Sequence, residues 1–273
     1  MNISTAAPHA TGAPVRQTGP RPPATIFAVT SGKGGVGKTF VSANLGAALV
    51  RGGRRVLLLD ADLGLANLDI VLGLHPKQTL HDVLTGKASI DSAVLQAPGG
   101  LEVMPAASGL IEYSRLTGDV QDELRAVIAE LGKRYDYLIL DTGAGISDIV
   151  LFTASLAQDV LVVATPEPTS IADAYATIKV LVMLQKRTLF RLVFNQVRNK
   201  KEGKALAEQL QGVVTRFLEP QLGAAITLQH LGDIPTDLSV QDVIRRRQLL
   251  LHGFPGAPAA KAIAGIASAL EQG

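Results

Sequence analysis

Gly32-Lys33-Gly34-Gly35-Val36-Gly37-Lys38-Thr39 sets two lysines and a threonine into a glycine-rich turn. It matches the G-x-x-x-x-G-K-[ST] phosphate-binding pattern at every fixed position. With Gly32, Gly34, Gly35 and Gly37 carrying no side chain, successive backbone N–H groups, that of Val36 included, can turn inward around phosphate oxygens. Lys38 supplies charge for the outer phosphates, and the Thr39 hydroxyl suits Mg²⁺. Three carboxylates complete the chemistry, Asp60, Asp62 and Asp141, each at or just past the end of an apolar run. One can hold Mg²⁺ or its waters and another can orient an attacking water. A carboxylate near its ordinary pKa of about 4 is a weak base, so positioning describes such a role better than full deprotonation. Two plainer readings stay open: a glycine turn followed by an incidental Lys-Thr, and Asp60 and Asp62 as caps of a turn and the next helix.

The surrounding elements favour the chemical reading. Thr25-Ile-Phe-Ala-Val-Thr30 is a short apolar, β-branched run, read as a buried strand. Phe40-Val-Ser-Ala-Asn-Leu-Gly-Ala-Ala-Leu-Val50 has helical spacing, with Gly52-Gly53 as its stop. Strand, glycine loop and helix in that order aim a helix N-terminus at an anion. Arg54 to Asp60, Leu101 to Pro105, Tyr135 to Asp141, Asp159 to Thr165 and Leu189 to Asn195 are further strands. Ligands of open parallel sheets sit off the strands' carboxyl ends, which puts Asp60, Asp62 and Asp141 on the loop's side. Alternating strands and helical patterns predict an α/β fold with one doubly wound, mostly parallel sheet flanked by helices. Residues 1 to 24, with Pro8, Pro14, Pro20, Pro22 and Pro23 among Ala, Thr and Gly, read as a disordered lead-in without a secretory signal. Residues 25 to 273 then form the domain.

A hydrophobic fraction of 47% over 273 residues supports a large core, and no apolar run approaches the ~18 residues a membrane span needs. The net charge of +2 neither requires nor excludes a nucleic-acid partner. The cysteine count is 0, which removes disulfides and thiolate metal sites. His75 and His81 read as surface or packing histidines. Basic residues gather at Arg187, Arg191, Arg198, Lys200, Lys201 and Lys204 and at Arg245-Arg246-Arg247. No aromatic residues are interleaved with the lysines, and DNA binding is not expected from them.

Lys33 is the residue that ordinary phosphate loops lack, and by itself it could equally be a solvated loop lysine. The K-G-G-x-G-K-T loop resembles the deviant form of MinD/ParA-type ATPases, which are P-loop NTPases. In that family the extra lysine reaches across a homodimer to the partner's nucleotide, much as an arginine finger does. The resemblance spans Ile26 to Leu270. Asp60-Ala-Asp-Leu-Gly-Leu-Ala-Asn-Leu-Asp69, Asp141-Thr-Gly-Ala-Gly-Ile146 and Pro166-Glu-Pro-Thr-Ser-Ile-Ala-Asp-Ala-Tyr175 resemble the flagellar-number regulators of this family, the FlhG/FleN (YlxH) branch. The same loop occurs in nitrogenase iron protein and iron–sulfur carriers, whose clusters need cysteines absent here.

The resemblance implies ATP and Mg²⁺ as ligands and slow, partner-stimulated hydrolysis. Asp62 would be the hydrolysis residue, Lys33 the dimer sensor and Lys38 the phosphate ligand. Thr39, Asp60 and Asp141 would serve the metal, and Asn195 would contact adenine, a strand-end asparagine being the plainer reading. Pro235 and Asp237 would lie in a second base-flanking loop, Gly232 to Asp237. Thr142 to Ile146 would be the switch, and Met183 with its Ile/Leu stripe would be core. Implied partners are a second copy when ATP is bound, a flagellar transcription activator, an FlhF-type GTPase and basal-body switch proteins. The implied location is cytoplasmic, with recruitment to a pole or the inner membrane face through partners. Pro258 to Leu270 departs from the basic amphipathic membrane-targeting helix of many members, with Lys261 its only base. It matches the last sheet-covering helix instead, and direct membrane binding is not expected. Residues 1 to 24 lack the D-Q-A-x-x-L-R segment that activates a GTPase partner in some members. A positioning ATPase for the division site or DNA, and a nucleotide-gated binder without turnover, are the alternatives.

Overall fold

The structure is a computed structural model and describes residues 22–64, 66–107, 116–199 and 201–272. Its strands are β1 (Thr25–Ser31), β2 (Val56–Ala61), β3 (Leu95–Gln96), β4 (Glu102–Met104), β5 (Tyr137–Ala144), β6 (Asp159–Ala164), β7 (Leu189–Val197) and β8 (Thr227–Pro235). They form one sheet in the order β3-β4-β2-β5-β1-β6-β7-β8. Every neighbouring pair is parallel except β3 with β4. The doubly wound, mostly parallel α/β expectation holds.

The helices are α1 (Lys38–Arg51), α2 (Leu68–Leu72), α3 (Leu80–Leu84), α4 (Ile90–Ala93), α5 (Gly118–Leu131), α6 (Asp148–Ser155), α7 (Pro168–Gln185), α8 (Glu202–Phe217), α9 (Glu219–Leu222), α10 (Leu238–Arg246), α11 (Leu250–Gly253) and α12 (Pro258–Gln272). On one face, Leu45 and Leu49 of α1 and Ile263, Ile266 and Leu270 of α12 pack on Val29, Leu58 and Val193 of the sheet. On the other, α5 covers β2 and β5, while α7 and α8 cover β6 and β7. The central strands are buried on both faces, which is why they read as continuous apolar runs rather than alternating ones.

Three expectations are corrected. Gly232 to Pro235 belongs to the edge strand β8, not to a loop. Polar Gln229, His230 and Asp233 and a bulge near Gly232 hide the strand pattern, as an edge strand permits. Ala24, placed in the lead-in, is buried and donates its N–H to the Gly132 carbonyl at 2.9 Å. The disorder expected of residues 1–21 lies outside the described residues. Met183 is only partly buried, and its neighbour Leu184 is exposed on α7. α12 does cover the sheet, with Ala259, Ala260, Ile263, Ile266, Ala267 and Leu270 buried.

Candidate functional site

The phosphate loop runs from the end of β1 into the first turn of α1, whose N-cap Gly37 has φ 86°. Gly35 also sits at positive φ, 81°, a backbone state that a side chain would strain. Gly32 is required for a different reason. A Cβ there would stand 2.2 Å from the backbone carbon of Asp173 on α7, so the loop's first residue is packed against that helix. A Cβ at Gly34 or Gly35 would meet nothing within 4 Å, the open side a ligand needs.

Beneath the loop, charges are concentrated and buried. The Lys38 Nζ lies 2.9 Å from Asp141 Oδ1, Thr39 Oγ1 donates to Asp141 Oδ2 at 2.7 Å, and Ser42 Oγ donates to Asp141 Oδ1 at 2.7 Å. Asp141 and Asp60 are register partners on β5 and β2, and both are 1% exposed. Burial, and then the charge of Asp141, pushes the Asp60 carboxyl up to about 7, against backbone N–H groups of Leu68, Asp62 and Asn67 that favour its charge. Of the two buried carboxylates, Asp141 has an ammonium partner, and Asp60 has backbone N–H donors. The donor set is hard oxygen with a hydroxyl, and a divalent cation would offset its excess negative charge. No group of three or more His, Cys, Asp or Glu side chains among the described residues forms a metal cage. Mg²⁺ bound through one or two carboxylates and substrate phosphates fits that pattern.

Asp62 stands above this layer. A Cβ at Gly143 would be 3.4 Å from its carboxylate, so the carboxyl end of β5 lies directly beside it. A cleft of about 530 Å³ opens between Gly34 to Thr39, Asp62, Gly143, Ser147 and Ile244. Apolar side chains line it as well, Phe40, Val71, Ile149, Val150 and Ile244, and Ile244 is 51% exposed.

Lys33 points away from its own loop's cradle. Its Nζ lies 2.6 Å from Glu167 Oε2 and 3.0 Å from Thr169 Oγ1, at the start of α7. The Lys33 hydrogen bond and charge hold the Glu167 carboxyl below its usual value. An ion pair this exposed is weak and can exchange for a stronger anion.

Residues 27–250 match the CobQ/CobB/MinD/ParA nucleotide-binding domain. The chain belongs to the MinD/ParA family. It is 42% identical over 257 residues to the antiactivator FleN of Pseudomonas aeruginosa, covering 94% of this chain and 90% of that one. It is 35% identical over 227 residues to the flagellum site-determining protein YlxH of Helicobacter pylori, covering 82% and 74%. Its fold superposes with a TM-score of 0.73 on the septum site-determining protein MinD of Pyrococcus horikoshii, solved with Mg-ADP, at 26% identity and covering 91% and 96% of the two chains. The flagellar resemblance read from Asp60 to Asp69 and Asp141 to Ile146 is thus matched along nearly the whole chain.

Within this MinD/ParA chain, Gly32 to Thr39, Asp60, Asp62 and Asp141 come together as expected. The base-flanking residues behave differently. Asn195 is 6% exposed and donates from Nδ2 to the Val36 carbonyl at 2.8 Å. Pro235 lines a separate pocket of about 590 Å³ with Val197, Arg198, His230 and Asp233. Asp237 caps α10: its oxygens accept from the N–H groups of Ser239 at 2.9 Å and Ala259 at 3.1 Å. Burial opposes its charge, but the backbone donors prevail and hold its carboxyl below the ordinary value.

Ser42, Glu167 and Gln196 escaped the sequence reading. Ser42 lies one helical turn from Lys38, a spacing that could have flagged it. Gln196 has φ 60° at the register shift in β7, and no sequence signal marks a non-glycine residue there. The basic cluster divides: Arg187 donates to the Ala154, Ala157 and Gln158 carbonyls and Arg191 is 3% exposed, whereas Arg198, Lys201 and Lys204 are exposed. No helix among the described residues is long and apolar enough to cross a membrane.

Proposed function

We propose that this protein is an ATP-dependent dimerising switch, a slow ATPase that regulates flagellar number or placement. The observation that carries it is Lys33. Its ammonium bonds Glu167 and Thr169 in this chain, an exposed pairing that supports a role toward a neighbouring copy's nucleotide. Ile244, which lines the cleft and is 51% exposed, supplies apolar surface that a second copy would cover.

Within each subunit, Lys38 leaves Asp141 to bind the outer phosphates, and the loop N–H groups hold the inner ones. Thr39 and Asp141, with Asp60, would hold Mg²⁺, which would supply positive charge against the phosphates. Asp62 orients the attacking water, and the segment from Thr142 to Ile146, beside it, changes conformation as the switch. Hydrolysis would then reset the dimer. The flagellar assignment rests on the similarity to FleN and YlxH. On that reading the ATP-bound dimer presents its surface to a flagellar transcription activator, an FlhF-type GTPase or basal-body switch proteins. The location is cytoplasmic, with recruitment to a pole through such partners.

Deleting the gene and counting flagella per cell tests the biological assignment. Altered number or position supports it, and unchanged number and position rejects it. Phosphate release from wild type and Asp62→Ala, with and without cell extract, tests turnover. Release that Asp62→Ala abolishes is expected. Equal near-zero release from both would leave a nucleotide-gated binder.

A further inference from the structure

We infer that Ser42 is a positioning residue for Asp141, the donor on α1 that stays with this carboxylate when Lys38 turns to a nucleotide. The inference rests on the reading proposed above, in which Lys38 takes phosphates and Asp141 serves the metal.

Three side chains from the first turns of α1 converge on one carboxylate. Ser42 Oγ donates to Asp141 Oδ1 at 2.7 Å, and the Lys38 Nζ reaches the same oxygen at 2.9 Å. Thr39 Oγ1 donates to the other oxygen, Oδ2, at 2.7 Å. Helical spacing explains the convergence of the first two: residues at i and i+4 lie one above the other on a single face. Asp141 is 1% exposed and Ser42 0%, so no solvent stands ready to replace a partner that is lost.

The three donors are not equivalent. Lys38 and Thr39 line the cleft, whereas Ser42 lies buried one turn further along α1. The loop motif gives Lys38 and Thr39 other ligands, the outer phosphates and Mg²⁺. Ser42 has a single hydroxyl hydrogen to give. Its competing acceptor is the Lys38 carbonyl at 3.1 Å, which is farther than the carboxylate and uncharged. Once Lys38 leaves, Ser42 is the side chain on α1 that still holds Oδ1. Without it the Asp141 carboxylate would be free to turn, and the cost of ordering it would fall on metal binding. A plainer role is also open to a serine inside a helix, bonding back to the carbonyl four residues earlier. The two roles differ in a measurable way. A back-bond affects the helix whatever the cleft holds, while a hold on Asp141 matters most when the metal arrives.

The test measures equilibrium binding of ADP, which avoids turnover, to the full chain, Ser42→Ala and Ser42→Cys. Each is titrated in EDTA and at saturating Mg²⁺, and the readout is the ratio of the two affinities. Thermal melts of the nucleotide-free proteins establish that the variants fold. The ratio is expected to fall about tenfold in Ser42→Ala, the scale of one lost hydrogen bond to a buried charge. Ser42→Cys keeps a weaker donor at the same place. It should lower the ratio in the same direction, and it carries the test if the alanine variant does not fold. A ratio equal to wild type in the folded variants would overturn the inference, even where ADP binding or the melting midpoint falls, because that is the pattern of the back-bond alone. Failure of the wild-type chain to bind ADP, or a wild-type ratio of one, would instead overturn the nucleotide and metal reading of the proposed function.

Discussion

Asp60 and Asp141 concentrate the residue-scale energetics. Two carboxylates 1% exposed on adjacent strands cannot both ionise cheaply when the one lysine at hand pairs with Asp141. Asp60 carries the strain, its carboxyl raised to about 7 by burial and by Asp141. The sign follows from the folded value lying above the unfolded one. The stability it contributes is complete below pH ~4 and is lost as pH rises through ~7. The nucleotide-free protein should lose stability as pH rises from ~4 to ~7, by of order 4 kcal/mol if the whole shift is expressed. Asp60→Asn should flatten that slope in thermal or urea unfolding followed across pH. A second residue-scale expectation separates the two lysines. Lys38→Ala should abolish nucleotide binding, whereas Lys33→Ala should retain it and lose the dimer, read by calorimetry and light scattering. Asp141 and Asp60 were legible because each ends an apolar strand. The Lys33 contact was not, because its acceptor Glu167 lies 134 residues away and only the fold brings them together.

At the scale of elements, the loop is clamped from two sides. α7 presses on Gly32 through the backbone of Asp173, and β7 reaches Val36 through Asn195. Gly32→Ala would drive a Cβ to 2.2 Å from backbone carbon that has no side-chain freedom to yield. It should destabilise the protein by about 1–3 kcal/mol or more, the overpacking range. Gly34→Ala, whose Cβ meets nothing within 4 Å, should fold at the wild-type midpoint; thermal melts of the two variants compare them directly. The central strands were readable from their apolar runs because both faces are buried. β8 was not, since an edge strand carries His230, Gly232 and Asp233 without an apolar alternation to betray it. β3 is only 2 residues long and leaves no periodic trace.

At the scale of the molecule, the sheet's carboxyl edge gathers Gly34 to Thr39, Asp62 and Gly143 into one cleft, with Ile244 exposed on its lining. α12 spends its apolar face on α1 and β8, with Ile263 and Ile266 at 1% and 2% exposure, so that face is not free for a bilayer. Vesicles of anionic lipid should therefore not sediment the ATP-bound protein, and Ile266→Ala should cost about 2–5 kcal/mol of stability rather than change lipid binding. The central claim is that a triphosphate joins two copies through Lys33. Small-angle scattering at saturating ATP and Mg²⁺ tests it most directly, on the native chain, Asp62→Ala and Lys33→Ala. A doubling of mass for Asp62→Ala that Lys33→Ala lacks is the expected result. Single subunits for both the native chain and Asp62→Ala would contradict the account.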